Sequence, residues 1–257
     1  MSSTKRIILV TGANTGIGYD TALFLARDDS NNHVIVGARN EERGLEALKK
    51  LQDLNLKGTL SFQKLDVTSD ESIFAAVKEL EAKFDKLDVL VNNAGIVIPE
   101  PLTRAAMRET FEVNVYGPVI LTDALAPLLK KSNDPRIINV SSGLGSIGLR
   151  LDATNQYYNS TSNAYRMSKA ALNMASANMK YDYRENKFKV WSYCPGFVIT
   201  DLKMGGAERG EASRKTRSEM GAESSETSAQ GILDIVNGKR DGEVDLFVQR
   251  YGKTWPW

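Results

Sequence analysis

The sequence predicts an α/β fold in one domain, because short apolar runs alternate along the chain with stretches of helical periodicity. The first apolar run, residues 7–10, leads through a glycine-rich turn into a stretch of helical spacing that begins at Tyr19. A chain of 257 residues can bury a full core, and α/β folds of this length often form one domain.

The remaining elements follow from the same two patterns. Strands are predicted at residues 7–10, 33–38, 59–65, 87–91, 136–140, 188–193 and 244–248, and helices at 19–26, 41–54, 70–84, 107–129, 165–183 and 229–236. Two of these helices have an apolar stripe that is expected to pack on the sheet. The stripe is Leu45, Leu48, Leu51 and Leu54 in the first, and Phe74, Val77, Leu80 and Phe84 in the second.

Composition limits the classes of partner. Lys and Arg total 33 against 32 Asp and Glu, which gives no reason to expect nucleic acid or an anionic membrane surface. Cys194 is the only cysteine and His33 the only histidine, which excludes a disulfide framework and a metal site of several Cys or His ligands. The first residues enter a strand directly, and no apolar run approaches membrane-spanning length. We therefore expect a soluble, cytoplasmic protein with small-molecule partners and no metal.

The glycine-rich turn lies where a buried strand meets the N-terminus of a helix. Backbone N–H groups point outward there, and the helix dipole favours negative charge. Glycines also let a pyrophosphate approach without Cβ atoms in the way. We therefore predict a nucleotide site, formed by Gly12, Asn14, Thr15, Gly16, Ile17 and Gly18.

Arg39 ends the second predicted strand, at the position that contacts the ribose in dinucleotide-binding folds. An acidic residue about 20 positions after the glycines binds the 2′-hydroxyl of NAD, whereas an arginine accommodates the 2′-phosphate of NADP. Arg39 therefore favours NADP, with possible help from Asn40 and Arg43. The alternative is a solvated arginine at a strand end.

Three further motifs carry polar groups toward the same edge of the predicted sheet. The sequence Asn-Asn-Ala-Gly follows the fourth strand at residues 92–95, and Ser141-Ser142 follows the fifth. Ligands bind at the carboxyl ends of strands in open α/β sheets, although tandem serines are also common turn residues. Asn114 lies inside a predicted helix and, with Gly117-Pro118 nearby, indicates a kink or a water-filled gap.

Tyr165 and Lys169 are four positions apart and therefore share one helix face. A tyrosine phenol has a pKa of ~10 in free peptides, too high for a base at neutral pH, and an adjacent ammonium lowers it. We expect Lys169 to activate Tyr165 in this way. The spacing alone is common, and an exposed helix pair without chemistry is the alternative.

Taken in this order, these motifs resemble the short-chain dehydrogenase/reductase family over residues 7 to about 200, closest in pattern to its NADPH-dependent carbonyl reductases. The resemblance implies a doubly wound, Rossmann-type, mainly parallel seven-stranded sheet with helices on both faces. It also implies hydride transfer from NADPH to a ketone or aldehyde, reversible as alcohol oxidation. The catalytic residues that it implies are Asn114, Ser142, Tyr165 and Lys169.

The resemblance also assigns the other residues around NADP(H). Asp66 and Val67 are expected at the adenine, although Asp66 could instead only cap a turn before the third helix. The nicotinamide side is assigned to Asn93, Ala94 and Gly95, to the loop residues Pro195, Gly196, Val198 and Thr200, and to Tyr165 and Lys169.

The chain departs from the usual family pattern by an insertion at about 149–161, between Ser142 and Tyr165. Tyr157 or Tyr158 is expected to border the substrate pocket, or only to pack on the surface. The insertion leaves monomer, dimer and tetramer open.

A polar segment at about 201–228 indicates a substrate lid or a disordered loop. The tail, residues 251–257, should dock on the body of the chain or on a neighbouring subunit.

Two other functions are compatible with the same residues. The first is an NAD-linked alcohol or hydroxysteroid dehydrogenase, which an acidic residue in place of Arg39 would have favoured. The second is a non-catalytic NADP-binding regulator, because folds are reused without their chemistry. Cys194 is expected in the core, since no histidine is near it in sequence to activate a thiol.

Overall fold

The computed structural model describes residues 5–98, 101–202 and 210–257. Seven parallel strands form one sheet in the order β3-β2-β1-β4-β5-β6-β7. They are β1 (Arg6–Thr11), β2 (Asn32–Ala38), β3 (Thr59–Lys64), β4 (Val89–Asn92), β5 (Arg136–Val140), β6 (Lys189–Cys194) and β7 (Phe247–Gln249). The strand order reverses between β1 and β4, which confirms the predicted doubly wound sheet and places its ligand-binding crevice at their carboxyl ends.

Helices cover both faces of this sheet. They are α1 (Gly16–Asp28), α2 (Glu41–Gln52), α3 (Asp70–Lys83), α4 (Arg104–Phe111), α5 (Gly117–Leu129), α6 (Ile147–Leu151), α7 (Asn163–Asp182), α8 (Glu211–Glu219) and α9 (Glu226–Val236). Ile8 and Val10 of β1 pack into the core that includes α1 and α9, whereas Ile7 and Leu9 pack into the core under α3, α5 and α7. The strand is therefore buried on both sides, as parallel sheets require.

Two predicted apolar stripes are partly wrong. Leu45 and Leu54 are 46% and 53% exposed, because the buried face of α2 consists of Gly44, Ala47 and Leu51. Small residues on that face let the helix lie close to β3. Phe74 is likewise 57% exposed, and the neighbouring Ile73 is buried in its place.

The last strand is shorter than the predicted range of 244–248. A 3₁₀ turn occupies Asp241–Glu243, and Asp245 has a left-handed backbone with φ of 69°. Extended pairing begins only at Phe247 because a residue in that conformation interrupts a strand.

The predicted lid, residues 201–228, lies partly outside the described residues, since 203–209 are not among them. Its remaining part contains α8 and the start of α9. In the described part of the chain, no helix combines the length and apolar character needed to cross a membrane.

Candidate active site

The β1–α1 turn has the backbone that a nucleotide site requires. Gly12 and Gly16 have φ of +63° and +56°, and a Cβ at Gly18 would collide with the Gly12 carbonyl oxygen. Thr15 precedes α1 without capping it, so N–H groups of the first helical turn remain available. The Thr15 hydroxyl instead bonds to the Asp201 carboxylate.

The other two predicted residues of this turn differ in what they expose. Ile17 is 9% exposed and packs in the core, so only its backbone faces the turn. Asn14 is partly exposed beside it.

The Asn-Asn-Ala-Gly sequence ties β4 to β1. Asn93 Nδ2 donates to the Thr11 carbonyl at 2.8 Å, and the Thr11 hydroxyl accepts from the backbone N–H groups of Asn93 and Ala94 at 3.0 and 2.9 Å. Asn92 faces the interior and donates to Asn139 Oδ1 at 2.8 Å. Both asparagines therefore brace the centre of the sheet.

Asn114 lies in a π-helical segment, Glu112–Tyr116, between α4 and α5. Its Oδ1 accepts from the Ile96 N–H at 2.8 Å, and its Nδ2 donates to the Ile96 carbonyl at 2.9 Å and to Ser168 Oγ at 3.0 Å. The predicted kink is therefore present, and the fully buried amide links it to the loop after β4 and to α7. Gly95 is adjacent, since a Cβ built there would lie 3.4 Å from Asn114 Oδ1 and 3.7 Å from Lys169 Nζ.

The two serines after β5 have different environments. Ser141 is buried, and its hydroxyl donates to Asn173 Oδ1 at 2.5 Å, which is a structural contact. Ser142 is only partly buried, and its hydroxyl bonds to the phenol of Tyr165. The geometry therefore favours Ser142 as the residue that faces a substrate.

Tyr165 and Lys169 both lie in α7, with Lys169 Nζ 5.7 Å from the centroid of the Tyr165 ring. Lys169 Nζ donates to the Val140 carbonyl at 2.7 Å, and burial lowers the pKa of this lysine to about 8. The Tyr165 ring is partly open to the cleft, yet protein surrounds the phenol on most sides.

The expected lowering of the Tyr165 pKa is wrong for this structure. Burial raises it to about 12, although the hydrogen bond from Ser142 and the charge of Arg217 act in the opposite direction. Desolvation dominates because the phenolate would lose most of its hydration, and Lys169 is itself buried. The neutral, protonated phenol is therefore the stable form at neutral pH.

The ribose and adenine candidates lie at the ends of β2 and β3. Arg39 and Arg43 are exposed, and Asn40 caps α2 by accepting from the Arg43 N–H at 2.9 Å. Asp66 Oδ1 accepts from the N–H and the hydroxyl of Thr68, at 3.0 and 2.7 Å. Asp66 therefore does hold a turn, and Val67 beside it is buried.

The loop after β6 approaches the glycine turn from the other side. Thr200 side-chain atoms lie 3.6 Å from where a Cβ of Gly16 would be, and Val198 is buried and paired with Glu223. Gly196 has φ of +81° with the Arg250 guanidinium packed against it. Arg250 Nη1 also donates to the Pro195 carbonyl at 2.9 Å.

The inserted segment is fastened by Arg166, the residue after Tyr165. Its guanidinium donates to the carbonyls of Ser160, Leu144 and Tyr157, which joins the insertion to the turn after Ser142. Sequence reasoning missed this role, as it missed that of Arg250, because carbonyl acceptors distant along the chain produce no local pattern.

The two inserted tyrosines differ. The Tyr157 ring lies 3.7 Å from the Cβ position of Gly143, the residue after Ser142, and burial raises the pKa of its phenol. Tyr158 is on the surface, with the Arg150 guanidinium 6.0 Å from its ring centroid. Cys194 is buried as expected, and burial raises the pKa of its thiol.

The tail docks on the body of the chain, next to the site. The Pro256 carbonyl accepts a hydrogen bond from the Ser146 hydroxyl at 2.5 Å, and the Trp257 carbonyl accepts one from the Gly148 N–H at 3.0 Å. The Trp257 ring stacks on Phe247 with centroids 5.7 Å apart.

A doubly wound sheet that carries a glycine turn at its switch point and a serine, a tyrosine and a lysine at the same edge defines a dinucleotide-dependent oxidoreductase. The short chain dehydrogenase family matches the chain over residues 6–209. The chain therefore belongs to this family, whose members use a nicotinamide cofactor and act on small molecules.

Individual relatives agree with this assignment. The short-chain dehydrogenase/reductase eupG of Phoma sp is 34% identical, covering 92% of this chain and 92% of that protein. The NADPH-bound carbonyl reductase from chicken fatty liver is 28% identical with a TM-score of 0.79, covering 98% of this chain and 99% of that one. Carbonyl reductase Sniffer of D. melanogaster is 25% identical with a TM-score of 0.79, covering 99% of this chain and 100% of that one.

Titration of tyrosine absorbance should find that Tyr165 ionises late. The difference between wild type and Tyr165→Phe isolates this phenol, and we expect no phenolate signal from it up to pH ~11 while circular dichroism shows a folded chain. The pKa of Tyr165 is higher in the folded chain than in the unfolded one. Its contribution to the free energy of unfolding is therefore retained below pH ~10 and is lost as the pH rises toward 12. A midpoint at pH ~10 or lower would contradict the dominance of burial.

Proposed function

We propose that the protein is an NADPH-dependent carbonyl reductase that transfers hydride to a ketone or aldehyde, reversibly as alcohol oxidation. The observation that carries the proposal is the contact between the Tyr165 phenol and Ser142, with Lys169 in the same helix, at the edge of the sheet where the glycine turn lies. A phenol with a pKa of about 12 holds its proton at neutral pH, which is the form that a reduction needs.

The residues present fit a nicotinamide dinucleotide. The β1–α1 turn is a cradle that a Cβ at Gly18 would fill, and helix N–H groups face it. Gly95 leaves space beside Lys169 and Asn114 for the nicotinamide end. When bound, the reduced nicotinamide supplies the hydride. The residues proposed to hold the cofactor are Gly12, Asn14, Thr15, Gly16, Ile17, Gly18, Arg39, Asp66, Val67, Asn93, Ala94, Gly95, Tyr165, Lys169, Pro195, Gly196, Val198 and Thr200.

The chain's own groups handle the carbonyl oxygen and its proton. Ser142 Oγ donates a hydrogen bond to the carbonyl oxygen, and the Tyr165 phenol gives that oxygen its proton as general acid. Lys169 stabilises the phenolate that remains and binds the cofactor ribose. Asn114 holds the kinked segment beside Lys169 and supports resupply of the proton.

NADP is favoured over NAD by charge at the end of β2. Arg39 and Arg43 are exposed there, and the residue at the ribose position is basic where an NAD site has an acid. The chicken relative was crystallised with NADPH. A cytoplasmic location suits a chain whose only cysteine, Cys194, is buried and free.

The function is tested by following nicotinamide absorbance with NADPH against a panel of ketones, aldehydes and quinones. Tyr165→Phe should lower kcat/KM by about 10²–10⁴-fold, because it removes the general acid. Tyr158→Phe is the matched control, since that phenol lies on the surface, and it should leave kcat/KM unchanged. Tight NADPH binding without turnover of any compound would instead favour a regulator.

Cofactor preference is tested with Arg39→Asp. Wild type should prefer NADPH to NADH by about 10–100-fold in kcat/KM, because charge-assisted hydrogen bonds to the 2′-phosphate are lost with NADH. The variant should prefer NADH. The same change at the exposed Arg27, in the last turn of α1, should leave the preference as it is in wild type. An NADH preference in wild type would support the NAD-linked alternative.

A further inference from the structure

Arg217 is a buried arginine of α8 that the mechanism above does not use. It is 8% exposed, and its Nη1 and Nε donate to the carbonyls of Val198 and Leu202 at 3.2 and 3.3 Å. Its guanidinium carbon lies 5.6 Å from the centroid of the Phe197 ring. These contacts hold the guanidinium against the loop that is proposed to bind the nicotinamide end.

The charge of Arg217 has no carboxylate partner within the described part of the chain. Burying a charge is unfavourable unless it is paired, so this is an unusual state for an arginine. Other arginines with buried side chains are paired with carboxylates. Arg136 pairs with Asp134 and Asp241, Arg240 with Glu243, and Arg250 with Glu223.

Arg166 also lacks an acidic partner among the residues described, but its hydrogen bonding differs from that of Arg217. Each of its three guanidinium nitrogens donates to a carbonyl, so its hydrogen-bonding capacity is directed to holding the insertion. In Arg217 only Nη1 and Nε have such acceptors, and Nη2 has none among the residues described. Among the described residues, one donor and the positive charge of Arg217 therefore have no acidic partner.

Arg217 acts on the reacting end of the site. Its charge lowers the pKa of the Tyr165 phenol, and an ionised Tyr165 would in turn raise the pKa of Arg217. The Phe197 ring and the Val198 carbonyl that Arg217 contacts belong to the loop after β6, and Thr200 of the same loop approaches Gly16 of the glycine turn. Burial lowers the pKa of Arg217, yet an arginine remains charged throughout the physiological range.

We propose that Arg217 is the counter-ion for an acidic group of the substrate, a carboxylate or an ionised phenol carried close to the carbonyl that Tyr165 protonates. The proposal rests on the function proposed above and narrows it to acidic carbonyl compounds. A guanidinium presents its N–H donors in a planar fork that suits a carboxylate, and a partly desolvated site strengthens the pairing. Recognition of such a substrate also neutralises a charge that the described chain leaves unpaired.

The test compares a 3-oxo carboxylic acid with its methyl ester, because the two share the carbonyl and differ in charge. Wild type should reduce the acid with a kcat/KM at least about tenfold above that of the ester. Arg217→Gln should lower kcat/KM for the acid by about 10–100-fold and change that for the ester by less than about threefold. The preference for the acid would then be lost.

Two further variants test whether the effect of Arg217→Gln comes only from loss of positive charge on α8 or from misfolding. Lys215→Gln removes a positive charge from the same helix at a side chain that is 77% exposed, and it should keep the preference for the acid. Arg217→Lys retains the charge without the fork and should keep part of the preference, which also covers failure of Arg217→Gln to fold. Circular dichroism checks the fold of each variant.

A binding measurement separates this proposal from the proposed function. Benzoate has a carboxylate and no reducible ketone, and calorimetry should find that Arg217→Gln weakens its binding by about tenfold or more. Equal losses of kcat/KM for acid and ester, with benzoate binding unchanged, would overturn the counter-ion and leave the reductase standing. If wild type reduces neither compound, the proposed function is in doubt, and benzoate binding alone decides the role of Arg217.

Discussion

The close contact between the β1–α1 turn and the end of β4 is the constraint on which the rest of the site depends. Asn93 reaches across to the Thr11 carbonyl, and the absence of a side chain at Gly18 lets the turn fold back beside it. This contact fixes the N-terminus of α1 and the position of Gly95 at once. The phosphate end and the nicotinamide end of the proposed cofactor site are therefore set by one packed junction.

A second constraint is the burial of the ionisable groups around Tyr165. The structure favours a neutral phenol and lowers the pKa of Lys169 to about 8, so desolvation opposes charge on both residues. A site of this kind holds a proton ready for transfer and stabilises charge only as the reaction develops it. Arg217, held against the Val198 carbonyl of the loop after β6, adds a positive charge that we propose an anionic substrate neutralises.

The parts of the fold and site that could be predicted from sequence are those encoded by local pattern. The glycine turn, the paired asparagines, the kink at Asn114 and the shared face of Tyr165 and Lys169 each depend on residues close together in the chain. The exposure of Phe74 could not be predicted, because Ile73 beside it is also apolar and the helical spacing does not decide which of the two faces the core. The short β7 depends on the left-handed backbone conformation of Asp245, which the identity of the amino acid does not determine.

Three arginines that fasten segments around the proposed site illustrate the same limit. Arg166, Arg217 and Arg250 each donate to main-chain carbonyls, and some of those acceptors are distant in sequence. Any residue type has such a carbonyl, so no spacing or composition identifies the partner. Only the folded chain brings these donors and acceptors together.

The most direct measurement of the central claim is the fate of deuterium when NADPH carries it at both C4 positions of the nicotinamide. Mass spectrometry of the product alcohol should find the label on the former carbonyl carbon, while the hydroxyl proton comes from solvent through Tyr165. Reduction with the label absent from that carbon would contradict direct hydride transfer and, with it, the account given of this site.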